Sequence, residues 1–168
     1  MFQPDKDKPT TTAWDFLSKS LAVNSSCVLL LTQAFLPNIL AANKAKIAFM
    51  SSRMGSMSDN TSGCLYAYRA SKAAVNSIGV SVSIDLKGKV VTVILLPPGI
   101  NNTNLAGGLG GFGPAFEPDV TAERLLTLVN ETTIEDTGKF FQHEGYELAW
   151  YGKETRHYIG VMGWSFAH

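Results

Sequence analysis

Cysteine is scarce in this 168-residue chain, and neither sign of charge dominates. The two cysteines, Cys27 and Cys64, have no metal-binding spacing and form no disulfide framework, so we expect both to be reduced and buried. The 14 basic and 14 acidic residues cancel and form no block of like charge. This balance excludes the usual signature of a nucleic-acid or anionic-membrane partner. The sequence predicts no metal site.

The sequence also lacks a segment that predicts secretion or membrane insertion. Residues 1–8 have no apolar core of the kind found in signal peptides. The most apolar stretch, residues 28–42, is interrupted by Gln33, Pro37 and Asn38 and is too short for a membrane span. Hydrophobic residues make up 45% of the chain and charged residues 17%, as in folded soluble domains. We therefore expect one cytoplasmic domain with a sizeable core.

Predicted helices and strands alternate along the chain. The helices are expected over residues 12–36 (bent near 24–26 and ended by Pro37), 66–86 and 121–130, and the strands over 46–51, 89–96 and 138–142. The first helix is apolar enough to predict burial on more than one side. Alternation of this kind predicts an α/β fold with a parallel sheet of about three strands. The strand at 89–96 is nearly all apolar, as a strand covered on both faces should be.

One pair of side chains in the second long helix suggests chemistry. Tyr68 and Lys72 are four residues apart, so they share one face of the helix. An ammonium beside a phenol is expected to lower its pKa and to make Tyr68 a proton donor or acceptor near neutral pH. Ser52, which follows the strand at 46–51, could supply a hydroxyl to the same reacting oxygen. Taken alone, the pair is equally compatible with a surface tyrosine and a solvated lysine.

Several motifs occur together in a fixed order. The Ser51-Ser52 pair after a strand, Tyr-x-x-x-Lys on a helix, and Pro98-Gly99-Ile100 after the next strand resemble the short-chain dehydrogenase/reductase family. The segment from Ser51 to Asn76 looks like the branch that contains C-factor and sniffer-type carbonyl reductases. Val23-Asn24 matches the helix that carries the family's catalytic asparagine. The resemblance covers about residues 14–152.

The resemblance implies roles for individual residues. The catalytic residues would be Ser52, Tyr68, Lys72 and Asn24, and the cofactor-binding residues would be Tyr68, Lys72, Pro98, Gly99, Ile100 and Thr103. The family implies an oxidoreductase that reduces a carbonyl group, or oxidises an alcohol, by hydride transfer. Tyr68 would be the general acid/base, and Asn24 would hold a water behind Lys72. NADP(H) is the preferred cofactor by resemblance, with NAD(H) as the alternative.

Part of the family's pattern is missing before Asn24. We find no Thr-Gly-x-x-x-Gly-x-Gly turn, no selector for NAD or NADP and no Asn-Asn-Ala-Gly strand there. The resemblance therefore implies the C-terminal portion of a Rossmann-type doubly wound parallel sheet whose N-terminal strands are absent. Residues 1–152 would form this partial domain, and residues 153–168 a divergent tail. The glycine-rich turn is the part of the family's fold that binds the pyrophosphate of the cofactor, so we expect no binding site for the pyrophosphate in this sequence.

A glycine-rich stretch later in the chain is a different feature. Residues 108–113 fit Gly-x-Gly-x-x-Gly, but they neither follow a strand directly nor open a helix. We interpret residues 104–118 as a substrate lid. Leu105, Leu109 and Phe112 within it indicate a hydrophobic substrate, and the family resemblance implies that this substrate is a small carbonyl or alcohol.

Two alternatives to catalysis remain open at this point. The helices at 12–36 and 66–86 resemble those of the family's dimer contact, so the chain is expected to self-associate. It could be a truncated, non-catalytic remnant that acts only through this helix-pair interface. It could also be a binding domain for a small ligand, without turnover.

Overall fold

The computed structural model describes residues 13–105 and 115–150. Its helices and strands are, in chain order, α1 (Trp14–Leu21), α2 (Cys27–Ala41), β1 (Lys46–Met50), α3 (Tyr66–Lys87), β2 (Thr92–Leu96) and α4 (Pro118–Glu131). A π-helical turn, Ala22–Ser26, joins α1 to α2 at the position of the predicted bend. Short 3-10 helices occur at Arg53–Gly55 and Ile134–Asp136.

The two strands are parallel and in register, from Lys46 opposite Thr92 to Met50 opposite Leu96. They are joined by α3, which confirms the predicted α/β fold with a parallel sheet. The strand expected at residues 138–142 is reduced to a single parallel bridge between Leu95 and Phe140. Beyond Phe141, which still bonds to Leu95, the chain reverses at residues 142–145 and Glu147 pairs antiparallel with Phe141. The described sheet therefore has two strands rather than three.

Side chains of β2 alternate between two apolar clusters, as the pleat of a strand requires. Val93 and Leu95 pack with residues of α3, whereas Ile94 and Leu96 pack with Leu128 of α4 and with Phe141. All five residues of β2 are buried, so the predicted covering of both faces is confirmed. The strand begins at Thr92, later than predicted, because residues 88–90 form a turn that closes α3.

The first long helix differs from the prediction at its end. It continues through Pro37 to Ala41, so the expectation that Pro37 ends it is wrong. A proline inside a helix removes one backbone hydrogen bond. Leu36 and Ile39 flank Pro37 and pack against the core, and this packing favours continuation of the helix.

Burial of this helix was also predicted incorrectly. No residue of α2 is buried, and Leu30, Leu31 and Phe35 are each more than half exposed. Cys27 and Cys64 are exposed as well, contrary to expectation. α2 and its first residue Cys27 are exposed because α2 packs on the core along one side only, and the described residues place no second layer over its outer side.

The continuous helical segment Trp14–Ala41 spans 28 residues. By length and composition alone it is long and apolar enough to cross a membrane, which corrects the expectation drawn from residues 28–42. Core helices of soluble proteins pass the same test. Cytoplasmic localisation therefore stays a prediction, as does a domain boundary at residue 152.

Candidate active site

A cleft of about 760 Å³ opens at the carboxyl ends of β1 and β2. Its walls come from the residues that follow each strand, from the first turn of α3 and from the start of α4. Parallel α/β sheets bind ligands at this edge. The cleft is lined by Ser52, Tyr68, Pro98, Gly99, Ile100 and Thr103, among others. Six of the residues predicted from the sequence therefore meet in one place.

Tyr68 and Lys72 share one face of α3, as their spacing predicted. The Lys72 Nζ lies 5.8 Å from the centre of the Tyr68 ring and donates a hydrogen bond of 3.1 Å to the carbonyl oxygen of Met50. Met50 is the last residue of β1, so this bond fixes the lysine at the end of the strand. Tyr68 and Lys72 are both partly buried.

Ser52 lies within hydrogen-bond reach of the phenol, and their side chains form a hydrogen bond. Its Oγ also accepts a bond of 3.2 Å from the backbone N–H of Met54. This second contact fixes the direction of the serine side chain, because it caps the short helix at Arg53–Gly55. The serine oxygen and the phenol oxygen therefore face the cleft together.

The pKa of Tyr68 differs from the prediction. Burial raises the pKa of the phenol, and the hydrogen bond with Ser52 lowers it only in part. Burial also lowers the pKa of the Lys72 amine. The expectation that the pKa of Tyr68 is lowered toward neutrality is thus wrong, because desolvation of the phenol is the largest cause of its shift. At neutral pH Tyr68 is a protonated phenol, which suits it to donate a proton.

Asn24 is placed in the π-helical turn and reaches across to α3. Its Nδ2 donates a bond of 3.0 Å to Ser71 Oγ, which in turn donates 2.8 Å to the carbonyl oxygen of Tyr68. Asn24 is therefore hydrogen-bonded to α3, the helix that carries Tyr68 and Lys72, at the residue that precedes Lys72. Its role in holding a water behind Lys72 stays a prediction.

The segment after β2 forms the opposite wall of the cleft. Gly99 has a φ of +74°, a conformation that favours glycine. The Asn101 side chain donates to the carbonyl oxygens of Pro98 and Gly99 at 3.1 and 3.4 Å. Ile100 is half-buried, and Thr103 is exposed with its Oγ1 bonded to the Asn101 carbonyl oxygen at 3.4 Å. These contacts hold the predicted cofactor-binding segment against the cleft.

Two site features were missed from the sequence. Ser51 donates a short, buried hydrogen bond to Asn76. Asn76 lies four residues beyond Lys72, so the spacing of Tyr68, Lys72 and Asn76 along one helix face could have revealed it. His143 is the second missed residue. It is buried behind Gly99, and no pattern in the sequence connects the two.

Part of the predicted lid lies outside the described residues. This applies to the glycines at 108–113 and to Leu109 and Phe112. Leu105 is described, lines the cleft and is about half exposed. The lid and its apolar contacts stay predictions.

The fold and the site together define a class of protein: an α/β protein with a partly buried phenol and a serine hydroxyl at the ligand-binding edge of a parallel sheet. A family model described as short chain dehydrogenase matches residues 3–110. The chain belongs to the short-chain dehydrogenase family, which confirms the resemblance found in its sequence.

Individual relatives agree with this assignment. The chain is 33% identical over 144 residues to a 1-hydroxy-2-glutathionyl-2-methyl-3-butene dehydrogenase of Rhodococcus sp., covering 86% of this chain and 63% of that protein. It is 35% identical over 134 residues to the C-signal protein of Myxococcus xanthus, covering 80% and 78% respectively.

Solved structures of similar shape include two carbonyl reductases. The carbonyl reductase Sniffer of D. melanogaster has a TM-score of 0.79 and 26% identity, and an NADPH-bound carbonyl reductase from chicken fatty liver has a TM-score of 0.80 and 27% identity. Each match covers 89% of this chain and 63% of the other. The chain thus spans less than two thirds of the length of these two structures and of the Rhodococcus dehydrogenase.

Proposed function

We propose that this chain carries the catalytic half of an NADP(H)-dependent carbonyl reductase. The observation that carries the proposal is the contact inside the cleft between the partly buried Tyr68 phenol and Ser52, with Lys72 one helical turn from Tyr68. The NADPH-bound relative of similar fold favours NADP(H) over NAD(H). The apolar lining from Met54, Leu105 and Leu125 favours a small hydrophobic carbonyl substrate.

The cleft residues fit the nicotinamide end of such a cofactor. Gly99 presents bare backbone to the cleft wall, and Pro98 and Ile100 flank it with apolar surface. Lys72 does not line the cleft, but its amine lies at the end of β1, bonded to the Met50 carbonyl oxygen, and would hold the hydroxyl groups of the nicotinamide ribose. The proposal concerns this end of the cofactor only.

In the proposed reduction, Tyr68 and Ser52 act on the carbonyl oxygen of the substrate. When bound, the reduced nicotinamide supplies a hydride to the carbonyl carbon. Tyr68 donates its phenolic proton to the carbonyl oxygen, and Ser52 donates a hydrogen bond to the same oxygen. A donor fixed toward developing negative charge lowers the barrier by about 3 kcal/mol in comparable sites. Solvent then returns a proton to the phenolate, along the Lys72 side of α3.

Cofactor binding is the first test of this function. Titration of the purified chain with NADPH, followed by the fluorescence of the reduced cofactor, should show saturable binding. Lys72→Met should weaken that binding by about tenfold, since it removes the proposed contact to the ribose. Lys87→Met, at the exposed end of α3, is the matched control and should bind as the wild type does. Failure to bind at millimolar NADPH would refute the reductase proposal for this chain.

One observation favours the second candidate, a non-catalytic remnant that acts through its helices. Leu30, Leu31, Phe35 and Leu40 of α2 are each between 47% and 62% exposed. Large exposed apolar side chains grouped on one helix are typical of protein interfaces. Self-association is therefore proposed for both candidates.

Sedimentation analysis separates the oligomeric states. The wild type should sediment as an oligomer, and the double variant Leu31→Glu with Phe35→Glu should be monomeric. A wild type that is monomeric at micromolar concentration would contradict the interface. An oligomer that binds no NADPH would favour the remnant over the reductase.

A further inference from the structure

Gly99 also contacts His143, a residue that does not line the cleft. A Cβ atom built on Gly99 would lie 2.7 Å from Nε2 and 2.9 Å from Cδ2 of His143. The imidazole therefore lies directly against the glycine backbone. Because Gly99 is in the left-handed conformation and borders the cleft, its neighbour affects the shape of the cleft wall.

The imidazole is itself fixed from several directions. His143 is only 2% exposed. The Phe116 ring contacts it edge-on, with ring centres 4.7 Å apart, and Arg124 Nη1 of α4 lies 3.5 Å from its Nδ1. The backbone of Phe116 is bonded at 2.8 Å to Ile100 and to Asn102, on the same segment as Gly99. His143 thus forms part of one packed unit with the cleft wall.

The contacts also determine which ring nitrogen carries the proton. A guanidinium can only donate, so Nδ1 accepts from Arg124 and the proton of the neutral ring is on Nε2. Burial lowers the pKa of His143; Glu144 acts in the opposite direction, and Arg124 lowers the pKa further. The ring is therefore neutral at pH 7. Its Nε2 has no hydrogen-bond partner in the described part of the chain and lies beside Gly99.

We propose that His143 is a positioning residue that holds Gly99 in its left-handed conformation and so sets the cofactor-facing wall formed by Pro98, Gly99 and Ile100. Asn101 holds the same segment through its two carbonyl bonds, and His143 supports it from behind. This inference goes beyond the proposed function in naming a residue that touches neither substrate nor cofactor. The inference rests on the proposed function only where it predicts an effect of His143 on NADPH affinity.

The test compares two substitutions with a matched control. His143→Ala removes the ring that packs against Gly99, whereas His143→Gln keeps comparable bulk at that position. Thr132→Val is the matched control for a general loss of stability, because it removes a buried hydroxyl elsewhere, at the C-terminal end of α4. The first readout is backbone amide exchange of Gly99 and Ile100, measured by NMR without ligand.

Exchange at Gly99 and Ile100 should quicken by about tenfold in His143→Ala and stay within about threefold of wild type in His143→Gln and Thr132→Val. NADPH affinity should fall by about tenfold in His143→Ala, as a rise in KM with kcat nearly unchanged. Equal exchange in wild type and His143→Ala, or equal effects of Ala and Gln, would overturn the proposal.

Two further outcomes keep the inference separate from the proposed function. If the wild type binds no NADPH, the reductase proposal fails, while amide exchange still decides the role of His143. If His143→Ala does not fold, His143→Val replaces it, since it removes less of the side-chain volume. Faster exchange at Gly99 in that variant then supports the proposal, and wild-type exchange overturns it.

Discussion

Gly55 controls the separation between the serine-bearing turn and α3. A Cβ atom at this position would lie 2.7 Å from the backbone C and O of Lys72 and from the Asn76 side-chain amide. Ordinary contacts begin at 3.4 Å, so Gly55→Ala must push the turn and the helix apart by about 0.7 Å. Backbone atoms of a helix cannot rotate away, unlike the end of a flexible side chain.

Overpacking of this size costs about 1–3 kcal/mol. For a chain of this length, that cost corresponds to a fall in Tm of about 2–12 °C. Because Ser52 and Gly55 belong to the same turn, the shift also lengthens the bond between Ser52 and Tyr68. We expect Gly55→Ala to lose both stability and carbonyl reduction, measured by urea unfolding and by NADPH oxidation.

Gly88→Ala is the matched control, since a Cβ atom there meets nothing within 4 Å and the residue is already in a helical conformation. It should be neutral or stabilise the fold by about 0.4–1 kcal/mol. The reasoning is refuted if Gly55→Ala unfolds within about 0.5 kcal/mol of the wild type.

Three other predictions follow from single groups. Lys46 Nζ donates to the carbonyl oxygens of Val129, Asn130 and Thr132 at 2.6, 2.9 and 2.7 Å, so Lys46→Met should lower the unfolding free energy by about 1–2 kcal/mol; urea unfolding that matches the wild type would contradict this. Because burial raises the Tyr68 pKa, the difference in phenolate absorbance between wild type and Tyr68→Phe should emerge only above pH 10.0, and a component that titrates near neutrality would contradict it. Burial depresses the folded pKa of His143 below 6.5, so its stabilising contribution should be present above that pH and be lost as the pH falls through the folded pKa. His143→Gln should flatten this part of the curve of unfolding free energy against pH, and an unchanged curve would contradict the lowered pKa of His143.

Helical spacing and strand ends made much of the site predictable. The i, i+4 relation of Tyr68 and Lys72 fixes a common face wherever the helix lies. Ser52 follows β1 and Pro98 follows β2, and the carboxyl ends of parallel strands meet at one edge of the sheet. These are local properties, so the residues themselves reveal them.

The features that were predicted incorrectly depend on contacts between distant parts of the chain. Whether α2 is covered depends on what packs over it, which the apolar density of its residues does not determine. Pro37 is a local stop signal, yet the packing of Ile39 carries the helix past it. The contact of Gly99 with His143 joins positions 44 residues apart.

The sign of the Tyr68 pKa shift needed the structure for a further reason. Sequence spacing places an ammonium near the ring, and an ammonium alone lowers a phenol's pKa. Burial of the phenol raises its pKa and is the largest cause of the shift. A phenol that stays protonated at neutral pH is able to donate a proton to a carbonyl oxygen.

The most direct test of the central claim is the rate of NADPH oxidation with a small hydrophobic ketone, compared between Tyr68→Phe and Tyr66→Phe. Tyr66 is on the same helix, is 47% exposed and does not line the cleft, so its loss should leave the rate unchanged. The account predicts that Tyr68→Phe lowers the rate by about 100-fold or more, with NADPH affinity nearly intact. Equal rates in the two variants would contradict it.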